Sequence, residues 1–137
     1  MAERKPHFPQ MRGSWTASSP LPGGERMTTV QALVDAVLAR CGWLPVDIAK
    51  RWALTYGSRV WQLLEGVQGP QDLGQSIGGG LFAHEVDYLM REEWAMSAAD
   101  ILWRRTKLGL FTSVTEQEAL IEYLRHKQAT QAATRAA

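Results

Sequence analysis

The sequence predicts an all-α fold, a compact orthogonal bundle of five or six helices behind an extended N-terminal arm. Three observations predict it. Apolar residues recur at three- and four-residue spacing in successive segments between residues 28 and 127. Capping residues, glycines and prolines punctuate the edges of those segments. No stretch alternates β-branched and polar residues as a half-buried strand would.

The arm comes first, over residues 1–27. Pro6, Pro9, Pro20 and Pro22 fix φ and remove donors, and Gly23-Gly24 permits a turn, so this is an extended linker with no core of its own. The helical domain, residues 28–127, begins at Thr28. Thr28-x-x-Gln31 forms a capping box, and Val30, Leu33, Val34, Val37 and Leu38 follow at helical spacing. Gly42 ends this helix near Arg40, and Pro45 fits the first turn of the next. Ile48, Trp52 and Leu54 supply that helix's apolar positions. Gly57 ends it and Ser58 caps another piece, whose buried stripe is Val60, Leu63, Leu64 and Val67. The glycine-rich GVQGPQDLGQSIGGG, residues 66–80, reads as a connector loop. A phosphate cradle would need a strand before it or Gly-Lys-Ser/Thr at its end, and neither is present. A helix over 81–94 places Phe82, Val86, Leu89 and Met90 on one face. Ser97-x-x-Asp100 caps the next helix, and Thr115-x-x-Glu118 the last, with Leu120, Tyr123 and Leu124 as its stripe. Residues 128–137, Ala, Thr and Gln without large apolar side chains, form a fraying tail.

Composition bounds the function. At 137 residues the chain is one domain, with 45% hydrophobic and 21% charged residues, enough for a core. Six tryptophans, at 15, 43, 52, 61, 94 and 103, suit core packing and also a surface that docks on something else. A net charge of +1 gives no field to collect nucleic acid or anionic lipid. Cys41 is the lone cysteine, so no intrachain disulfide forms and a reducing, cytoplasmic location fits. No apolar run approaches the length of a membrane span.

Candidate chemistry is sparse. His7, His84 and His126 have no second ligand at metal spacing, and Cys41 has no evident base, so no metal and no catalytic residue is expected. The charges gather instead in EVDYLMREEWAMSAADILWRRTKLGL, residues 85–110. Glu92 and Glu93 diverge by about 100° on a helix and form no facing acid–base pair. Asp100 and Arg104, four apart, pair along a helix, and Glu85 or Glu93 can hold the second arginine, Arg105. Glu85, Glu93, Asp100, Arg104 and Arg105 are therefore expected to form a structural ion network, with a Glu93–Arg105 coupling above ~1 kcal/mol if desolvated. A DNA-binding reading of the RRTK run fails on the near-zero net charge and on Trp103 and Leu108 beside it.

The order LPGG (Leu21–Gly24), TYGS (Thr55–Ser58), E-x-x-Y (Glu85, Tyr88), Glu93 and D-x-L-x-R-R-T (Asp100, Leu102, Arg104, Arg105, Thr106) resembles the C-terminal domain of flavin-dependent glycerol-3-phosphate dehydrogenase. The resemblance covers roughly residues 8–125. It implies a helical appendage of an enzyme that oxidises sn-glycerol 3-phosphate to dihydroxyacetone phosphate and passes electrons through FAD to quinone, peripherally on the cytoplasmic face of the inner membrane. The chain lacks the strand–GxGxxG–helix that would seat FAD, so no catalytic or cofactor-binding residue carries over. The implied partner is the FAD and substrate domain, which the arm would join. The rival reading is a free-standing helical protein-interaction module. A domain of this kind exposes its former interface as one apolar patch above ~400 Å². The arm's Phe8 and Trp15 would then lie on a groove of the bundle or pair with a second copy, making a homo-oligomer.

Overall fold

The computed structural model describes residues 17–25 and 29–136. The expectations for Phe8, Trp15 and Thr28 fall outside those residues. Helix α1, Val30–Arg40, starts at Thr29, whose Oγ1 accepts from the Ala32 amide at 3.1 Å. It buries Leu33, Val34 and Val37 and closes where the Cys41 amide donates to the Val37 carbonyl. Helix α2, Val46–Tyr56, packs on α1 with Pro45 just outside it as N-cap, one position earlier than expected. Ile48, Ala49, Trp52, Ala53 and Tyr56 are buried. Leu54 is not on that stripe: two residues past Trp52, it faces the far side of the helix and is exposed.

A 3-10 turn at Gly57–Arg59 bends the chain into the short α3, Val60–Leu63. Ser58 does not cap it; its hydroxyl donates elsewhere, to Glu25. Val60, Leu63 and Leu64 are fully buried, each contributing about 1.5–3 kcal/mol through apolar burial.

The connector reading of residues 66–80 needs correction. A 3-10 turn, Pro70–Leu73, is held by Asp72, whose carboxylate accepts from the Gln68 and Gly69 amides at 2.8 and 2.9 Å. Strands β1, Ser76–Gly78, and β2, Leu81–Phe82, then pair antiparallel. Gly78, Gly79 and Gly80 all have positive φ, which makes so tight a reversal possible, and Ile77 and Leu81 anchor it in the core. The all-α class stands around this small hairpin. Because Leu81 and Phe82 are strand, α4 spans Ala83–Glu92 instead of 81–94.

After α4, residues 95–99 lead into a π-turn, Asp100–Arg105. Its defining bond runs from the Thr106 amide to the Ile101 carbonyl at 3.0 Å, and the Thr106 hydroxyl donates to the same oxygen at 2.7 Å. A 3-10 turn, Leu108–Leu110, precedes α5, Val114–Ala136. The capping box of α5 is Ser113-x-x-Glu116, two residues before the expected Thr115-x-x-Glu118: the Ser113 amide and hydroxyl donate to Glu116, whose own amide donates to Ser113 Oγ. Of the tail expected to fray, residues 128–136 are helical, the last turns of α5. A helix already nucleated on Leu120 and Leu124 extends at little cost through Ala and Gln, and Thr130 and Thr134 hydrogen-bond back to the carbonyls four residues earlier.

Candidate functional site

Glu85 lies in the first turn of α4, where a carboxylate suits the positive end of the helix dipole, and is fully buried. Arg51, one turn before the end of α2, meets it in a two-pronged pair with Nη1–Oε1 and Nη2–Oε2 both at 2.6 Å. Tyr56 donates its hydroxyl to Glu85 Oε1, also at 2.6 Å. Arg51 Nη2 further donates to the Gly80 carbonyl at 2.8 Å, so one guanidinium ties α2 to α4 and to the tip of the hairpin. Burial, and then the Glu85 carboxylate, push the Tyr56 phenol far above its ordinary range. Burial works against the Arg51 charge, but Glu85 more than restores it. The Tyr88 ring meets Tyr56 edge-on at 5.5 Å, and its buried hydroxyl has no hydrogen-bond partner among the described residues, nor has Arg51 Nε.

Eight residues on, Glu93 caps the C-terminal end of α4 and accepts Arg59 at 3.3 Å on one oxygen and Arg105 at 3.4 Å on the other. Asp100 stands apart from both. Its Oδ2 accepts from the Met96 and Ser97 amides and the Ser97 hydroxyl, closing the box expected there, while Oδ1 takes Arg104 at 3.0 Å. The Ser97 hydroxyl, then the Met96 amide, hold its carboxyl below the ordinary value. The five predicted residues thus fall into three separate sites. Arg51, Tyr56 and Arg59 complete two of them and escaped sequence reasoning. The distance in sequence hid them, since the Arg51–Glu85 pair spans 34 residues.

The LPGG turn meets TYGS. The Gly23 carbonyl accepts the Ser58 amide at 2.7 Å, and Glu25 accepts the Gly23 amide and the Ser58 hydroxyl at 2.7 and 2.8 Å. Gly23 is buried with φ +89°, and a Cβ there would lie 2.8 Å from the Tyr56 carbonyl oxygen, so only glycine fits.

Among the described residues no group of three His, Cys, Asp or Glu side chains is placed to hold a metal. His84 donates Nε2–H to the Leu63 carbonyl at 2.6 Å, a structural use. Cys41 is buried, which pushes its thiol up and away from nucleophilic use. The glycine tip does not fit a dinucleotide phosphate. Gly79 already donates its amide to Glu116 Oε1 at 3.2 Å, Glu116 stacks over Gly78, and Ile48 and Thr112 close on Gly80 and Gly79. A carboxylate occupies the place an anion would need.

A family model described as the C-terminal domain of alpha-glycerophosphate oxidase matches residues 14–132. The glycerol-3-phosphate dehydrogenase of Pseudomonas aeruginosa is 53% identical over 124 residues, covering 90% of this chain and 24% of that protein. That of Pseudomonas tolaasii is 53% identical over 139 residues, covering 100% of this chain and 27% of the relative. The D-erythritol 1-phosphate dehydrogenase of Brucella abortus is 36% identical over 129 residues, covering 90% and 26% respectively. The chain spans about a quarter of the length of the curated relatives it matches.

Proposed function

The chain belongs to the family of the C-terminal domain of alpha-glycerophosphate oxidase, and from that premise we propose that it is the non-catalytic helical domain of an FAD-dependent sn-glycerol-3-phosphate dehydrogenase. In that reading the enzyme oxidises glycerol 3-phosphate to dihydroxyacetone phosphate and delivers electrons to quinone. FAD and the substrate pocket belong to the remaining three quarters of the polypeptide, which is this domain's partner. The observation that carries the reading is the 53% identity to two dehydrogenases over a matched segment that makes up only a quarter of each.

Within that enzyme the domain's own residues bind and position protein, not substrate. Glu85, Arg51 and Tyr56 lock α2, α4 and the hairpin into one body, and Gly23 with Glu25 fastens the incoming chain to Ser58. Glu93, Asp100, Arg104 and Arg105 serve structure in the same way. Among the described residues no helix is long and apolar enough to cross a membrane.

The test is direct. Purified chain given FAD, glycerol 3-phosphate and a quinone analogue should show neither turnover nor retained flavin, because flavin chemistry needs a protein that binds and orients the cofactor. The longer polypeptide that contains it should show both. A yellow, active preparation of this chain alone would overturn the assignment.

A further inference from the structure

Trp94 is the least economical residue in the structure. It follows the last residue of α4's cap in a left-handed backbone, φ +53°, where glycine is the usual occupant and a bulky residue is strained. Its ring gains nothing in return, being 82% exposed. Two unfavourable choices at one position mark a place where something absent from the structure makes the difference.

Its location says what that something is. Trp94 adjoins Glu93, which holds Arg59; Arg59 adjoins Ser58, which holds Gly23 and Glu25 of the incoming segment. Trp94 is thus linked through Glu93, Arg59 and Ser58 to the residues that fasten the incoming segment. A second group of exposed apolar residues, Leu110, Phe111 and Val114, lies beside the hairpin tip, where Gly79 packs on Thr112 near Phe111. That tip rests against Ile48 in the first turn of α2, whereas Gly23 fastens at Tyr56 and Ser58, the opposite end of the same helix.

We infer that Trp94, framed by the Arg59–Glu93–Arg105 bridge, is the docking residue for the remainder of the dehydrogenase polypeptide, which offers an apolar recess to the indole. The inference rests on the proposed function and adds the contact face to it. A tether fastened at Gly23 holds the larger part close to this end at high effective concentration, so a modest apolar contact suffices to fix their arrangement. Aromatic side chains with few rotamers supply such anchors at low entropic cost.

Hydroxyl-radical footprinting of the full-length polypeptide tests this without any mutation. In the structure of this chain Trp94 is more exposed than Trp103, 82% against 45%. Docking reverses the order, so Trp94 should be oxidised several-fold more slowly than Trp103 in the full-length protein. Oxidation of Trp94 as fast as or faster than Trp103 overturns the proposal. Trp94→Gly gives a second reading, since it removes the ring and the backbone strain together. The variant should keep or raise the Tm of the helical domain, yet make residues 17–25 of the full-length protein several-fold easier to cleave with protease. Phe111→Ser should leave that cleavage rate unchanged. An unchanged rate in Trp94→Gly, or a faster one in Phe111→Ser, sinks the assignment of the face. Flavin absorbance separates the two levels: a yellow full-length protein with an oxidised Trp94 defeats the docking face alone, and a colourless one defeats the dehydrogenase reading beneath it.

Discussion

Glu85 and Glu93 stand eight residues apart, at the two ends of α4, and each is met by arginine from elsewhere in the fold. Glu85 is fully buried, with both oxygens engaged at 2.6 Å by a single guanidinium and one of them also by a phenol. Glu93 is 22% exposed and divides its oxygens between two arginines at 3.3 and 3.4 Å. The chemistry is the same, but the consequences differ because water reaches one site and not the other. At Glu85 the desolvation of three polar groups has already been incurred, so removing any one strands the others. At Glu93 solvent takes over from a lost partner and screens the pair that remains.

The largest expected effect is therefore at Glu85. Glu85→Ala should destabilise the fold by about 3–5 kcal/mol in denaturant unfolding, a large part of a total near 5–15 kcal/mol. Replacing Arg51 and Glu85 together by Met and Leu should recover much of that loss. A cost below ~1 kcal/mol for Glu85→Ala would show that water enters the site and would erase the contrast with Glu93.

Alkaline titration sharpens the same contrast from the Tyr56 side. Its folded pKa is raised far above the ordinary 10.0, so the stability it contributes is intact below pH 10 and declines as pH rises beyond it. Each pH unit above 10 should cost up to ~1.4 kcal/mol until the chain unfolds, with tyrosinate absorbance from Tyr56 appearing only on unfolding. Tyrosinate forming in the folded protein near pH 10 would contradict the burial of the cluster.

Gly23→Ala forces a Cβ against the Tyr56 carbonyl at a positive φ and should cost about 1–2 kcal/mol. Faster proteolysis around residues 17–25 with the helical body intact would show the effect is local to the incoming chain. A double-mutant cycle on Glu93 and Arg105, with Arg105 41% exposed, should return less than ~1 kcal/mol. This is smaller than the coupling expected from a covered pair. A larger value would mean that both sites on α4 are effectively dry.

The smallest effect belongs to Asp100. Its carboxyl is depressed by the Ser97 hydroxyl and the Met96 amide, so the contribution is present above the ordinary 3.8 and fades as pH falls below it. Asp100→Asn should lower Tm slightly near neutrality, where the carboxylate's contribution is present, and flatten the decline of Tm below pH 3.8.

The helices were legible because their signals are local. Leu33, Val34 and Val37 declare α1 by spacing, Val60, Leu63 and Leu64 declare α3, and Ser97-x-x-Asp100 closes the box its residues promise. Where local rules allow more than one answer, the sequence left the choice open. Thr29 and Ser113 could cap as well as Thr28 or Thr115, and the neighbours each helix must meet decided the register. GGG between Ile77 and Leu81 is compatible with a loop or a hairpin; burial of both flanking side chains, with Arg51 bound to the Gly80 carbonyl, selected the hairpin. The candidate site was half legible for the same reason. That acids and arginines would pair followed from composition and helical spacing alone, and Asp100–Arg104 at i,i+4 was fixed by the helix itself. Which arginine meets Glu85, and whether water attends the meeting, depended on bringing Arg51 across 34 residues into a closed core. By itself the sequence determined the class of fold, the absence of a GxGxxG cradle and the family resemblance. Tertiary structure alone decided the partners of Glu85, the docking of Gly23 on Ser58 and the exposure of Trp94, because burial and long-range contact are properties of the packed chain and leave no periodic trace along it.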